Sequence, residues 1–289
     1  MKKILIRSLS GAVYVLIVIG TIFAGQWTGN DILGKIIFSS VFFLIGIIGI
    51  YEYINNLAKK GIECNRPMTY IAGTTLYLSS VMILLATRNI FDTNGRALLY
   101  ISVTLGILVP VIFLATLAIQ LWRNDAEPFT VAGHTFLPSI WIMTPLALAN
   151  TIQNIGSGIM IMLFIMIWVN DTFAYLGGMM LGRHKMWERH SPNKTWEGTI
   201  SGALFCVATA ILVGPHFYPH IHILGWAISG LICSVTGTLG DLVESMFKRY
   251  CGVKDSGNIM PGHGGVLDRF DSLLMAVPFV LLFITIILL

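Results

Sequence analysis

Long apolar stretches, separated by short polar segments, follow one another along the sequence from residue 9 to its end. A helix needs roughly 20 consecutive apolar residues to cross the hydrocarbon core of a bilayer. Each stretch runs for about this length, and few charged residues interrupt it. The pattern therefore predicts an all-α, polytopic integral membrane protein. The nine predicted spans lie near residues 9–27, 34–54, 68–87, 97–122, 134–150, 157–179, 198–214, 222–243 and 269–289.

Composition supports this fold class. Of the 289 residues, 55% are hydrophobic and 11% are charged, whereas about 25% are charged in a typical soluble domain. The net charge of +4 does not indicate a nucleic-acid partner, because the positive residues form no single patch. If the N-terminus is cytoplasmic, only Lys35, Arg88 and Arg96 of the 18 Lys and Arg residues lie outside. This asymmetry is the one that the positive-inside rule describes, and an odd number of spans then puts the C-terminus outside.

Most of the candidate functional residues lie in the second half of the chain. Residues 1–150 are predicted to form a transmembrane scaffold, and residues 151–289 a transmembrane catalytic region. The first apolar stretch is too long for the apolar core of a secretory signal, so it is interpreted as an uncleaved helix. The four cysteines form no CxxC pair, and neither disulfides nor a zinc site are predicted.

Charge is concentrated in one segment, residues 240–271, which contains five of the 14 acidic residues. A charged side chain at the centre of a bilayer costs about 2.5–3.5 kcal/mol on insertion scales, so such residues are rare without a function. The segment includes the end of the eighth predicted span and the beginning of the ninth. It is therefore the first candidate for a functional site.

Two acidic helix faces are predicted within this segment. Four polar residues recur at spacings of three, four and seven, which places them on one face of a helix at the inner end of the eighth span. They are Asp241, Glu244, Ser245 and Lys248. Asp268 and Asp271, three residues apart at the beginning of the ninth span, form the second face. Two acidic helix ends joined by a glycine-containing loop offer oxygen ligands to Mg²⁺, which takes one or two carboxylates together with water and substrate phosphates.

Basic residues and glycines in the same segment suit a phosphorylated substrate. The cationic candidates for binding a polyphosphate are Lys248, Arg249, Lys254, His263 and Arg269. Gly262, Gly264 and Gly265 would let backbone N–H groups approach the phosphates. The structural alternative is a salt-bridged clamp between two helices, but a clamp has no need of the glycines and the histidine.

Further candidates lie upstream. Asp171 follows an apolar run in the sixth span and shares a helix face with Tyr175 and Gly178, so it faces either a site or a hydrogen-bonding partner on a neighbouring helix. The loop 183–198 mixes cations with hydroxyl groups, which suits either an anionic substrate or lipid headgroups. Its candidate binding residues are Arg189, Ser191 and Lys194. Glu52, at the inner end of the second span, either faces a site or reaches water.

The segment from Ser245 to Asp271 resembles the C-terminal signature of the phosphatidate cytidylyltransferases, also called CDP-diacylglycerol synthases. It reads Ser-x-Phe-Lys-Arg, then Lys-Asp, then Pro-Gly-His-Gly-Gly-Val-x-Asp-Arg-Phe-Asp. Blocks that begin at Asp171 and Ser191 are also similar to segments of that family, so the specific resemblance covers residues 170–271. Asn193 differs from the lysine that the family commonly has at that position.

The resemblance implies transfer of the cytidylyl group from CTP to phosphatidate, with Mg²⁺, in a bacterial inner membrane and by a protein that pairs as a homodimer. It implies that Asp241 and Asp268 hold the metal, with Asp271, Glu244 and Asp171 as further ligands or supports. The cations of the signature would bind the triphosphate and pyrophosphate, and His263 a phosphate oxygen. Arg189, Ser191 and Lys194 would hold the lipid phosphate or cover the nucleotide.

Two other functions use similar residues. A CTP-dependent lipid-alcohol kinase also needs Mg²⁺, a nucleotide and a membrane substrate, but it transfers the γ-phosphoryl group. An ion-coupled transporter would use Asp171 within the membrane. A transporter is disfavoured because the acidic residues crowd at one end of the spans and not at the midplane of repeated helices.

Overall fold

The structure is a computed structural model. It describes the backbone of residues 2–86, 93–123, 127–259 and 264–288, and the side chains of the same ranges from residue 9 in the first and residue 96 in the second. Within these ranges, nine helices are long and apolar enough to cross a membrane. The predicted polytopic helical architecture is confirmed, and the protein is a multi-pass membrane protein.

The nine spans are formed by ten α-helices, because one span combines α5, a short π-helix and α6. The helices are α1 Lys2–Thr28, α2 Asp31–Lys59, α3 Arg66–Ala86, α4 Thr93–Ile119, α5 Pro128–Pro138, the π-helix Ser139–Met143, α6 Thr144–Ile155, α7 Ser157–Leu181, α8 Trp196–Phe217, α9 Ile223–Tyr250 and α10 Leu267–Leu288. A hairpin of β1 Lys185–Trp187 and β2 Ser191–Thr195 lies in the segment predicted to be a loop.

The chain forms two compact units, Phe23–Asn154 and the combination of Met1–Ile22 with Ile155–Leu289. The division of function between residues 1–150 and 151–289 stays a prediction. Within Phe23–Asn154, the Ser39 hydroxyl donates to Asn150 Oδ1 at 2.8 Å and thereby links α2 to α6. Glu52 is 2% exposed, so its side chain is buried and does not reach water.

Glycines allow the helices of the other unit to pack closely. A Cβ atom at Gly198 of α8 would lie 2.5 Å from the Ala174 carbonyl oxygen of α7, and one at Gly202 would lie 2.7 Å from the Asn170 carbonyl oxygen. A Cβ atom at Gly240 of α9 would collide with the Asp271 carbonyl oxygen of α10. Small residues permit this backbone approach between membrane helices. These glycines therefore bring α8 against α7 and α9 against α10.

The hairpin is fastened to the beginning of α8. Glu197 accepts hydrogen bonds from the backbone N–H groups of Arg183 at 3.1 Å and His184 at 3.2 Å, and its carboxylate lies 2.5 Å from the His184 ring. Thr195 caps α8 by accepting from the Gly198 N–H at 3.2 Å. Hydroxyl groups stabilise helix N-termini in this way. These contacts fix the strand that carries Lys194.

Candidate active site

A cavity of about 600 Å³, called here the polar cavity, lies between α7, α9, α10 and the hairpin. Five carboxylates and three basic side chains line it, which gives a formal charge of −2. They are Asp171, Asp241, Asp255, Asp268 and Asp271, with Lys194, Lys248 and Arg269. A negatively charged cavity repels a polyphosphate unless cations bind with it. A cation bound in this cavity would reduce the repulsion that a phosphate substrate meets there.

Three carboxylates form the most compact acidic group among the described residues. Asp241, Glu244 and Asp271 each offer one oxygen, and these oxygens lie within 4.8 Å of one another. Glu244 is 1% exposed, and its Oε1 has no hydrogen-bond partner among the described residues. Converging carboxylate oxygens are the ligands that Mg²⁺ prefers. This group, called here the carboxylate cluster, fits a hard divalent cation.

Asp268 is held by protein donors and lies outside that cluster. Its Oδ2 accepts hydrogen bonds from the backbone N–H groups of Ser256 at 2.9 Å and Gly265 at 2.7 Å, and from the Ser256 hydroxyl at 3.0 Å. The structure thus gives the predicted metal ligand contacts with protein donors, at Ser256 and Gly265 in the described parts of the loop between α9 and α10. Gly265, predicted to bind substrate, uses its N–H on this carboxylate.

Gly264 explains how the loop comes so close to Asp268. Its φ angle is +81°, and a Cβ atom there would lie 2.5 Å from Asp268 Oδ2. Glycine adopts this left-handed conformation without the steric cost that other residues meet. Gly264 and Gly265 thus bring the described end of this loop against a carboxylate.

Lys248 joins the carboxylate cluster to Asp268. Its Nζ lies 2.5 Å from Glu244 Oε2 and 2.7 Å from Asp268 Oδ1, and its side chain is 13% exposed. One buried cation therefore balances two buried carboxylates, one from α9 and one from α10. Because both acids depend on this cation, Lys248 couples the two helices.

Lys194 reaches the cavity from the hairpin. Its Nζ lies 2.8 Å from Asp241 Oδ2 and donates to the Thr238 carbonyl oxygen at 3.2 Å. Ser191 and Asn193 of the same strand also line the polar cavity. The candidate Ser191–Lys194 stretch thus lies beside the carboxylate cluster.

Asn170 is a site residue for which the sequence analysis predicted no role. Its side chain is buried, its Oδ1 accepts from the Ser234 hydroxyl at 2.6 Å, and its Nδ2 donates to Thr238 Oγ1 at 3.5 Å and Asp171 Oδ1 at 3.4 Å. An amide within an otherwise apolar span was the signal available. The network orients Asp171 and Thr238 at the wall of the cavity.

Of the other predicted site residues, some line the polar cavity and some do not. Asp171 and Arg269 line the cavity. Arg189, Arg249 and Lys254 are exposed and are not among the described residues that line it. Arg249 donates to the Val253 carbonyl oxygen at 3.1 Å, which holds its side chain at the end of α9. His263, like Gly262, lies outside the described residues.

Comparison with known proteins agrees with the character of this cavity. The sequence matches the family described as the "Cytidylyltransferase family" over residues 5–287. It is 32% identical to a phosphatidate cytidylyltransferase of Staphylococcus haemolyticus (strain JCSC1435) over 237 residues, which cover 73% of this chain and 90% of the relative. It is 53% identical to the phosphatidate cytidylyltransferase of Staphylococcus aureus (strain COL) over 120 residues. That match covers 40% of this chain and 44% of the relative, so it spans less than half the length of the Staphylococcus aureus protein.

Proposed function

The chain belongs to the cytidylyltransferase family, and we propose that it transfers the cytidylyl group of CTP to phosphatidate, giving CDP-diacylglycerol and pyrophosphate. The observation that carries this proposal is the polar cavity in a multi-pass membrane protein, where a carboxylate cluster lies beside Lys194, Lys248 and Arg269. A lipid phosphate and a nucleotide are both anions, and this combination of acids and bases suits their joint binding with a metal.

The proposed setting is a bacterial inner membrane, with the N-terminus in the cytoplasm and the C-terminus outside. The distribution of Lys and Arg along the sequence supports this orientation. It puts the polar cavity on the side where CTP is available. Pairing into a homodimer, which the family resemblance implies, belongs to the same proposal.

The proposed reaction is a displacement at phosphorus. An oxygen of the phosphatidate monoester forms a bond to the α-phosphorus of CTP, and the bond from that phosphorus to the bridging oxygen of pyrophosphate breaks. The attacking oxygen is already ionised at neutral pH, so no strong general base is required. The main obstacle is repulsion between two polyanions, which positioning and charge neutralisation reduce.

We assign Mg²⁺ to the carboxylate cluster, Asp241, Glu244 and Asp271. When bound, Mg²⁺ would neutralise the negative charge of the cavity and polarise phosphate oxygens. Lys248 holds Glu244 in place, and Asp268 holds the loop that borders the cavity. Asn170 orients Asp171, which also lines the cavity. The basic side chains Lys194 and Arg269 bind phosphate oxygens in this proposal.

The activity is tested with purified protein, phosphatidate, Mg²⁺ and CTP labelled at either the α- or the γ-phosphorus. We expect the α label to enter a lipid product and the γ label to leave as pyrophosphate. A lipid-alcohol kinase would instead put the γ label into lipid, and that result would contradict the proposed reaction. Movement of solute in sealed vesicles without either transfer would indicate a transporter.

Replacing Lys194 by methionine is expected to lower kcat/KM about 10- to 100-fold. The variant loses a charge-assisted contact of about 1.5–3 kcal/mol and leaves Asp241 without this cation. The measurement is steady-state kinetics with CTP and phosphatidate varied separately. Lys185→Met, on the exposed first strand of the same hairpin, is the matched control and should stay within about two-fold of the wild type. If Lys194→Met also stays within about two-fold of the wild type, Lys194 does not contribute to substrate binding.

A further inference from the structure

A further cavity, of about 500 Å³, lies within the compact unit Phe23–Asn154, where α2 ends and α3 begins. We call it the basic cavity. Its described lining comes from residues 54–67 and from Arg123, which follows the end of α4. None of these residues is among those that line the polar cavity. The proposed reaction therefore gives them no role.

The charge of the basic cavity favours an anion. Its charged lining residues are Arg66, Arg123 and Glu63, which give a formal charge of +1. The planar guanidinium group of an arginine presents parallel N–H donors that match two oxygens of a phosphate. Two such groups in one cavity suit a phosphate group with a single negative charge.

The acidic residue of the cavity does not block such a ligand. Glu63 Oε2 lies 3.5 Å from Arg123 Nη2, and the two side chains are 73% and 38% exposed. Ion pairs that are exposed to water contribute little free energy, because water competes for both partners. A phosphate can therefore replace the Glu63 carboxylate beside Arg123 at little cost.

Hydrogen bonds order the backbone that carries the cavity. The Asn65 N–H donates to the buried Thr135 hydroxyl of α5 at 2.8 Å. At the other end of the connection, the Ile62 N–H donates to the Leu57 carbonyl oxygen at 3.1 Å. Arg66 thus projects from a backbone that is fixed on both sides. A site that is ordered in advance loses less conformational entropy when a ligand binds.

The cavity lies at the boundary between hydrocarbon and water. The helices α2, α3 and α4 each include a stretch long and apolar enough to cross a membrane, and the cavity lies where α2 ends and α3 begins. Leu121 and Trp122, which precede Arg123, are 80% and 81% exposed. Tryptophan is enriched at the level of the lipid headgroups. A ligand can therefore enter the cavity from the bilayer surface.

We propose that the basic cavity binds the phosphodiester headgroup of an anionic membrane lipid, with Arg66 and Arg123 on the phosphate oxygens and the acyl chains in the adjacent bilayer. A phosphodiester has one negative charge, which the formal charge of the cavity balances. Basic pockets between membrane helices attract anionic headgroups. This site is independent of the proposed reaction, so either proposal can fail without the other.

Cys64 lines the cavity and provides a native reporter of binding. It is partly exposed, whereas the other three cysteines of the sequence are buried. Purified protein in phosphatidylcholine nanodiscs, with or without phosphatidylglycerol, is labelled with N-ethylmaleimide, and mass spectrometry gives the labelling rate. Phosphatidylglycerol at about ten times its half-saturating fraction should slow the labelling of Cys64 about ten-fold. An unchanged rate would overturn the proposal.

Variants separate a bound lipid from the general effect of a charged surface, which lowers the local pH and hence the thiolate fraction. In Arg66→Gln with Arg123→Gln, slowing should fall to about three-fold or less, as a surface potential of about −30 mV predicts. Lys59→Gln with Lys60→Gln removes the same charge from residues outside the described lining and should keep the ten-fold effect. Each variant is compared with itself, since Arg66 also lowers the pKa of Cys64. Equal slowing in both double variants would overturn the proposal.

A second measurement uses only the wild type, so it remains available if the arginine variant fails to fold. Native mass spectrometry counts the lipids that the protein retains before and after Cys64 is blocked with N-ethylmaleimide. Blocked protein should retain one phosphatidylglycerol fewer than unblocked protein, and an equal number would reject the site. Inorganic phosphate added to phosphatidylcholine nanodiscs should not slow the labelling of Cys64. Protection by inorganic phosphate would mean that the cavity binds a free anion, and it would overturn the assignment to a lipid.

Discussion

Replacing Asp241 by asparagine is expected to reduce cytidylyl transfer about 100- to 1,000-fold. Asp241 contributes an oxygen to the carboxylate cluster and also receives the Lys194 ammonium group. The amide keeps the shape of the side chain but removes its charge, so both the proposed metal and the cation lose their partner. Removing one preorganised group that stabilises transition-state charge has an effect of this size in other enzymes.

The measurement combines turnover with metal binding. Mn²⁺ in place of Mg²⁺ allows binding to be followed by electron paramagnetic resonance, independently of activity. We expect Asp241→Asn to weaken Mn²⁺ binding, and Glu188→Gln, at the exposed turn of the hairpin, to leave both measurements unchanged. Asp241→Asn with wild-type turnover and wild-type Mn²⁺ affinity would exclude Asp241 as a ligand.

Asp268→Asn gives the informative contrast, because the sequence assigned both residues to the metal. In the structure, Asp268 binds Ser256, Gly265 and Lys248. We expect its replacement to lower turnover by loosening the loop while Mn²⁺ affinity changes little. A loss of Mn²⁺ affinity equal to that of Asp241→Asn would confirm the prediction from the sequence that Asp268 is a metal ligand.

The sequence predicted the spans well because a span is a continuous run of about 20 apolar residues, which can be recognised without knowledge of the tertiary structure. It also placed Asp241, Glu244, Ser245 and Lys248 on one helix face, and the Ser245 hydroxyl lies 3.3 Å from Asp241 Oδ1, one turn away. Which acid of α10 joins Asp241 and Glu244 in the carboxylate cluster could not be predicted. Asp268 and Asp271 have the same residue type and lie one turn apart, and only the packing of α10 on α9 separates their environments.

The hairpin and α1 show a second limit of the sequence. The position of Lys194 depends on Glu197, whose contacts with Arg183 and His184 span 13 or 14 residues, and no periodic pattern signals them. Leu16 is 67% exposed and Val18 is 2% exposed, although both are apolar, so hydrophobicity cannot tell a lipid-facing position from one packed against another helix. In a membrane both environments favour the same residues, so only the tertiary structure groups Met1–Ile22 with Ile155–Leu289.

Replacing Lys248 by methionine is expected to destabilise the protein by about 3–5 kcal/mol and to abolish measurable transfer. Glu244 is 1% exposed and the Asp268 side chain is 6% exposed, so both would lose their nearest cation where water cannot replace it. Leaving a buried charge without its partner costs free energy of this size. The measurement is the free energy of unfolding in detergent micelles, with Lys185→Met as the control for loss of an exposed positive charge.

The double variant Lys248→Met with Glu244→Gln separates stability from activity. Removing the second charge also removes the uncompensated carboxylate, so part of the lost stability should return, and the effects of the two substitutions should not be additive. Transfer should remain lost, because Glu244 belongs to the carboxylate cluster that we assign to the metal. A Lys248→Met protein as stable as the wild type would contradict the role of Lys248 as the buried link between α9 and α10. Full activity in the double variant would instead remove Glu244 from the metal site and leave that link intact.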